Sequence, residues 1–117
     1  MTKKEKQTTY VERDVSWMYF NHRILQEAEK PTVPLLERLS FLGIYSNNLD
    51  EFFRVRVASL NRLVDNESLP ERHRKTIRKT LKTINRLNEE YSNEYTKVIR
   101  KVAAELEEHH VRLLNES

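Results

Sequence analysis

The most specific polar chemistry in this chain sits in GIYSNNLDEFF, residues 43 to 53, where Gly43, Ser46, Asn47 and Asn48 interrupt what otherwise reads as one long apolar-striped helix. All four are mediocre helix formers: Gly carries the largest backbone entropy cost, and Ser and Asn compete for backbone hydrogen bonds. An Asn amide offers both a donor and an acceptor, the pair needed to read the edge of a purine or a peptide group, and neighbouring Tyr45 and Phe52 could supply flat apolar walls. Three mechanisms fit the segment: a close helix crossing at Gly43, a buried hydrogen-bond network through Ser46, Asn47 and Asn48, or a ligand that reads the amides directly.

A second group of candidates is cationic. Arg72, Arg74, Lys75, Arg78, Lys79, Lys82 and Arg86 follow one another with no acid among them after Glu71, and Arg54, Arg56 and Arg62 lie near the end of the preceding helical stretch. In a hairpin of two helices these segments meet at one end and form a positive knob able to attract a polyanion; the plainer reading is a solvated charged face. Double-stranded nucleic acid is disfavoured as that polyanion, since there is no recognition-helix signature. The four histidines, His22, His73, His109 and His110, are not spaced three or four apart on an apolar face as a helical metal site requires, and they read as surface or terminal residues. No Ser, His and Asp cluster, Gly-rich phosphate loop or paired-carboxylate frame appears, so the chain by itself does not read as an enzyme.

The elements that must position these residues are helical. With 117 residues, one Gly, three Pro and 33% charged residues, there are few turn-formers for hairpins, and a single all-α domain with few connections is favoured. The absence of Cys excludes a disulfide framework and thiolate metal sites and fits a reducing, cytoplasmic setting. No apolar run approaches the roughly 20 residues of a membrane span, and the lysine-rich start has no apolar core of a signal peptide. A net charge of +3 is too small to specify a partner by itself.

Residues 1 to 13 show no sustained period and read as a flexible N-terminal arm. A first helix is expected from Asp14 or Ser16, both good N-caps, with Trp17, Phe20, Ile24, Leu25 and Ala28 on its apolar face, ending at Pro31 and Pro34. Pro34 suits the start of a second helix, striped by Leu35, Leu39, Leu42, Leu49, Phe52, Phe53, Leu60 and Leu63. Pro70 marks the start of a third, in which Ile77, Leu81, Ile84, Leu87, Tyr91, Tyr95, Val98, Val102 and Leu106 repeat at intervals of three and four. The last residues, 111 to 117, read as the start of a linker or strand. The expected architecture is an elongated antiparallel three-helix bundle, one short helix and two long ones in the manner of a spectrin repeat, with the domain over 14 to 110 and part of the long pair's apolar surface bare.

SWMYFNHRILQEA followed by PLLERLSFLGIYSNNLDEFFRVRVASL resembles the N-terminal domain of polyphosphate kinase, the large type whose catalytic domains are phospholipase-D-like. The pattern S-W-x-x-F-N-x-R-[VI]-L-Q-E-A, then P-L-[LI]-E-R, F-L-G-I-Y-S-N-N-L-D-E-F and V-R, covers residues 16 to about 60; Asp14 and Val15 stand where an acidic residue and Leu are common, and Met18 and Tyr19 fill variable places. The resemblance implies a full-length enzyme that reversibly transfers the terminal phosphate of ATP to inorganic polyphosphate through a phosphohistidine, with magnesium. It implies a homo-oligomer whose catalytic histidines and metal ligands lie in catalytic domains beyond residue 117, so that the isolated fragment is expected to be inactive. It also implies that this helical domain covers the adenine end of ATP and that Asn48, the second Asn of S-N-N-L-D, contacts the nucleotide. Asn47 and Tyr45 are expected as pocket neighbours, and Arg54, Arg56 or the basic run 72 to 86 as polyphosphate contacts, on charge alone. The alternative is a helical docking and assembly module in which the Ser-Asn-Asn segment is purely structural.

Overall fold

The computed structural model describes the backbone of residues 3–116 and the side chains of residues 13–110. Four helical segments follow one another: α1 (Lys3–Glu29), α2 (Leu35–Phe52), α3 (Ala58–Val64) and α4 (Glu71–Glu116), with a π-helical turn at Phe53–Val57 fusing α2 to α3 into one rod. The result is an all-α bundle of three rods, 68 × 25 × 19 Å. Its radius of gyration, 19.1 Å, far exceeds the roughly 13 Å of a compact domain of this length.

Cross-helix contacts fix the directions. Asp14 meets Arg56, Asn21 meets Tyr45 and Ala28 meets Arg38, so α1 runs antiparallel to the α2–α3 rod. Tyr45 stacks on Tyr95 and Arg38 pairs with Glu105, so α4 also runs antiparallel to that rod and parallel to α1. The core takes Met18, Leu25 and Ala28 from α1, Leu42, Tyr45, Phe52, Val57 and Leu60 from the rod, and Leu81, Ile84, Leu87, Tyr91, Val98 and Val102 from α4. The α4 stripe is the one the 3.6-residue period anticipates.

Several boundaries differ from the sequence reading. α1 begins at Lys3, so residues 3–13 are helix rather than an arm, and Asp14 is an interior residue rather than a cap. Strong helix formers such as Lys, Glu and Gln propagate a helix without any apolar stripe to announce it. α4 runs to Glu116, so 111–116 are helix and not a linker or strand; no Gly or Pro interrupts the chain after Pro70. Residues 1, 2 and 117, the outer ends of the expected arm and linker, lie outside the described residues. Pro34 and Pro70 stand immediately before α2 and α4, where a missing N–H costs nothing, and their carbonyls accept from Arg38 N and from His73 and Arg74 N.

Face assignments also shift. Phe20, Leu39 and Leu63 are exposed, while Met18 and the polar Asn21 and Arg38 are buried. Arg38, 3% exposed, donates from Nε to the Ala28 carbonyl at 2.9 Å and from Nη1 to Glu105. The Ala28 carbonyl is one of the last four of α1, which lack intrahelical donors, so Arg38 caps α1 while tying it to α4. The π turn has a comparable logic. Buried positions along the rod advance Leu42, Tyr45, Phe52, and then step five residues on to Val57 before Leu60. A π turn absorbs the extra residue and returns α3 to the face that meets α4.

Candidate functional site

The antiparallel pairing of α1 and α2 places Asn21 opposite the Tyr45–Asn48 segment. Asn21 is 1% exposed; its Nδ2 donates to the Tyr45 carbonyl at 3.3 Å, and its Oδ1 accepts from Asn48 Nδ2 at 3.3 Å. Asn48 is half-buried, and its carbonyl oxygen and second N–H make no other hydrogen bond among the described residues. One half of the amide is therefore tied down while the other keeps a donor and an acceptor. Ser46 and Asn47 are exposed, so the buried network runs through Asn48 and Asn21, not through all three residues of the segment. Gly43 is exposed as well, and a Cβ built on it would meet nothing within 4 Å, so it does not mark a helix crossing among the described residues.

Tyr45 faces inward. Its side chain is 2% exposed, its ring stacks on Tyr95 with centroids 5.4 Å apart, and its hydroxyl has no hydrogen-bond partner among the described residues. Burial, followed by the nearby Glu94, Tyr91 and Tyr95, pushes the phenol up to about 12. It reaches Asn48 only through its carbonyl and Asn21, not as a wall.

The wall beside Asn48 is built differently. A solvent-open hollow of about 330 Å³ is lined by Trp17, Asn48, Glu51, Phe52, Val55 and Arg56. A second hollow, about 390 Å³, shares Trp17, Phe52 and Arg56 with it and adds Arg13 and Asp14. Trp17 and Phe52 stack with centroids 4.1 Å apart and planes 9° from parallel, which presents a fixed aromatic ledge. Arg56, on the π turn, donates from Nε and one Nη to the two oxygens of Asp14, both at 2.8 Å. This fork-to-fork pair locks the π turn to α1 and holds a guanidinium at the hollow's rim. Arg56 is thus committed to a structural clamp, whereas Arg54 is exposed and only 3.9 Å from Asp50. Of the sequence candidates, the fold brings Asn48, Phe52 and Arg56 together and leaves out Tyr45, Asn47 and Arg54. Trp17, Asn21 and Asp14 join the site without being sequence candidates for it: Trp17 reads as stripe, Asp14 as a cap, and Asn21 carries no periodic signal.

His22 is not a surface residue. Its ring stacks on Tyr91 at 3.9 Å, and its Nε2 lies 2.7 Å from Glu94 Oε2. Glu29 belongs to the same α1–α4 cluster: burial, then the Glu94 carboxyl, raises it to about 7, with His22 and Lys101 opposing. His73 is half-buried, and His109 and His110 are exposed. Among the described residues no group of three His, Asp or Glu side chains could hold a metal ion. No helix among them is long and apolar enough to cross a membrane.

Fold and site together define an elongated all-α domain with an amide, a guanidinium and an aromatic ledge around an open hollow. The chain belongs to the polyphosphate kinase N-terminal domain family, whose model matches residues 10–114. It is 42% identical over 115 residues to a polyphosphate kinase of Vibrio vulnificus (strain YJ016), covering 92% of this chain and 15% of that protein. A Vibrio parahaemolyticus polyphosphate kinase is 43% identical over 97 residues, 80% of this chain and 14% of the relative. The Escherichia coli (strain K12) polyphosphate kinase is 58% identical over 55 residues, 47% of this chain and 8% of its own length. The chain therefore spans about 15% of the length of such relatives. No solved structure matches it.

Proposed function

We propose that this chain serves as the nucleotide-covering N-terminal domain of a cytoplasmic polyphosphate kinase, an enzyme that moves the terminal phosphate of ATP reversibly onto inorganic polyphosphate. In this reading Asn48 contacts the adenine, and the catalytic histidines and magnesium ligands belong to other domains of the longer protein. The observation that carries the reading is the half-committed Asn48 amide at the edge of the Trp17–Phe52 ledge. Its unpaired carbonyl and N–H match the donor and acceptor on an adenine edge, the pairing that Asn makes with adenine elsewhere. Asn21 holds the amide in place, so little rotamer freedom is lost on binding.

The test is Asn48→Ala in the full-length enzyme. Losing one bidentate contact, about 1 to 3 kcal/mol, raises the apparent KM for ATP roughly 5- to 150-fold with kcat less affected and assembly intact. An unchanged KM sinks the assignment. The second reading, a docking module with a purely structural Asn network, is favoured by the Asn48–Asn21–Tyr45 bond chain and by bare apolar side chains such as Leu36, 75% exposed. Dissociation of the oligomer or misfolding with normal ATP affinity supports that reading instead.

A further inference from the structure

The first four turns of α4 carry a row of five cations, four of which meet no carboxylate among the described residues. Arg72, Lys75, Lys79, Lys82 and Arg86 are all exposed, and their spacing of three and four puts them on one face over about 21 Å of helix. Arg74 and Arg78 sit off this row and both turn to Glu71, with Arg74 at 2.8 Å. Arg86 reaches Glu90 at 3.3 Å, where Glu89 and Glu90 close the row. The other four cations have no carboxylate partner among the described residues. Like charges three and four apart repel, and cations in the N-terminal half oppose the helix dipole, so the row costs the helix stability. A linear anion laid along it would offset both costs.

The face itself discriminates between anions. No Phe, Tyr or Trp lies between residues 71 and 90 on which a base could stack. Surfaces for single-stranded nucleic acid combine cations with such aromatic platforms. A row of cations without them fits an anion that is all phosphate. We propose that Arg72, Lys75, Lys79, Lys82 and Arg86 form a track for linear inorganic polyphosphate, the choice of that anion resting on the function proposed above.

The experiment is equilibrium binding of fluorescently labelled long-chain linear polyphosphate to the 117-residue chain across a salt series, with poly(U) as a competing probe. Five engaged cations give a slope of log K against log salt of about −3.5, on the scale of about −0.7 per charge for a single strand. Combining Lys75→Gln, Lys79→Gln and Lys82→Gln removes three of them without changing helix propensity, and the slope falls to about −1.4 with a loss of affinity of about tenfold or more at low salt. Circular dichroism confirms that the variant folds. The assay contains no nucleotide, so the track can stand even where the nucleotide assignment fails. Wild-type affinity and slope in the triple variant overturn the proposal. So does poly(U) binding as tightly as polyphosphate through the same lysines, which would make the face a nucleic-acid surface.

Discussion

Gly43 gives the sharpest test of the reasoning about the central segment. Replacing it with Ala adds one methyl group at an exposed helical position where nothing lies within 4 Å, so neither a clash nor new packing enters the balance. What remains is propensity: Ala is more favourable than Gly in a helix interior by about 0.5 to 1 kcal/mol, through the entropy the unfolded chain no longer loses. With an unfolding entropy of about 2.1 cal/mol/K per residue near 60 °C, a chain of 117 residues changes by roughly 0.25 kcal/mol for each degree. Gly43→Ala should therefore raise Tm by about 2 to 4 °C, measured by thermal denaturation at 222 nm. An unchanged or lowered Tm refutes the argument, since it requires a group of this chain to occupy the space beside Gly43 or the segment to leave the helix. In the full-length enzyme proposed above, the effect on activity tells something further. A substitution that stabilises this domain yet raises the KM for ATP would show that a group outside the chain uses the missing Cβ.

Two further predictions concern the α1 interfaces. Asp14→Ala leaves Arg56 without its fork partner and costs about 1 to 3 kcal/mol, toward the lower end because the Arg56 side chain is 38% exposed and screened; a double-mutant cycle with Arg56→Met giving no coupling energy would refute the clamp. Glu29 binds its proton more tightly in the folded state, with its carboxyl raised from 4.5 to about 7, so its contribution to stability is whole below about pH 4.5 and is lost as pH rises through about 7. Glu29→Gln removes that decline, and urea unfolding at about pH 5 and pH 8 should show a smaller drop for the variant than for the parent chain; equal drops exclude Glu29 as the cause.

Local pattern alone determined much of this protein. The α4 stripe is legible because one long helix buries one face, and the period of its apolar residues needs no partner to be seen. Pro34 and Pro70 announce helix starts because their missing N–H is tolerated only there, and the Ser-Asn-Asn interruption reads as a place where something other than propensity has decided the residues. The family motif is likewise carried by residues 16 to about 60 as written.

Tertiary structure decided the rest. The start of α1 at Lys3 carries no apolar signal, because strong helix formers propagate a helix silently. Arg38 and Asn21 look like surface residues until Ala28, Glu105, Tyr45 and Asn48 arrive to satisfy them, and those partners stand far apart along the chain. Tyr45 and Trp17 exchange roles for a similar reason: each is an aromatic on the apolar side of its own helix, and only the packing of the helices against one another selects which looks into the core and which onto the hollow. A buried polar group requires a partner, and where that partner lies 24 or 67 residues away, no local period can reveal it.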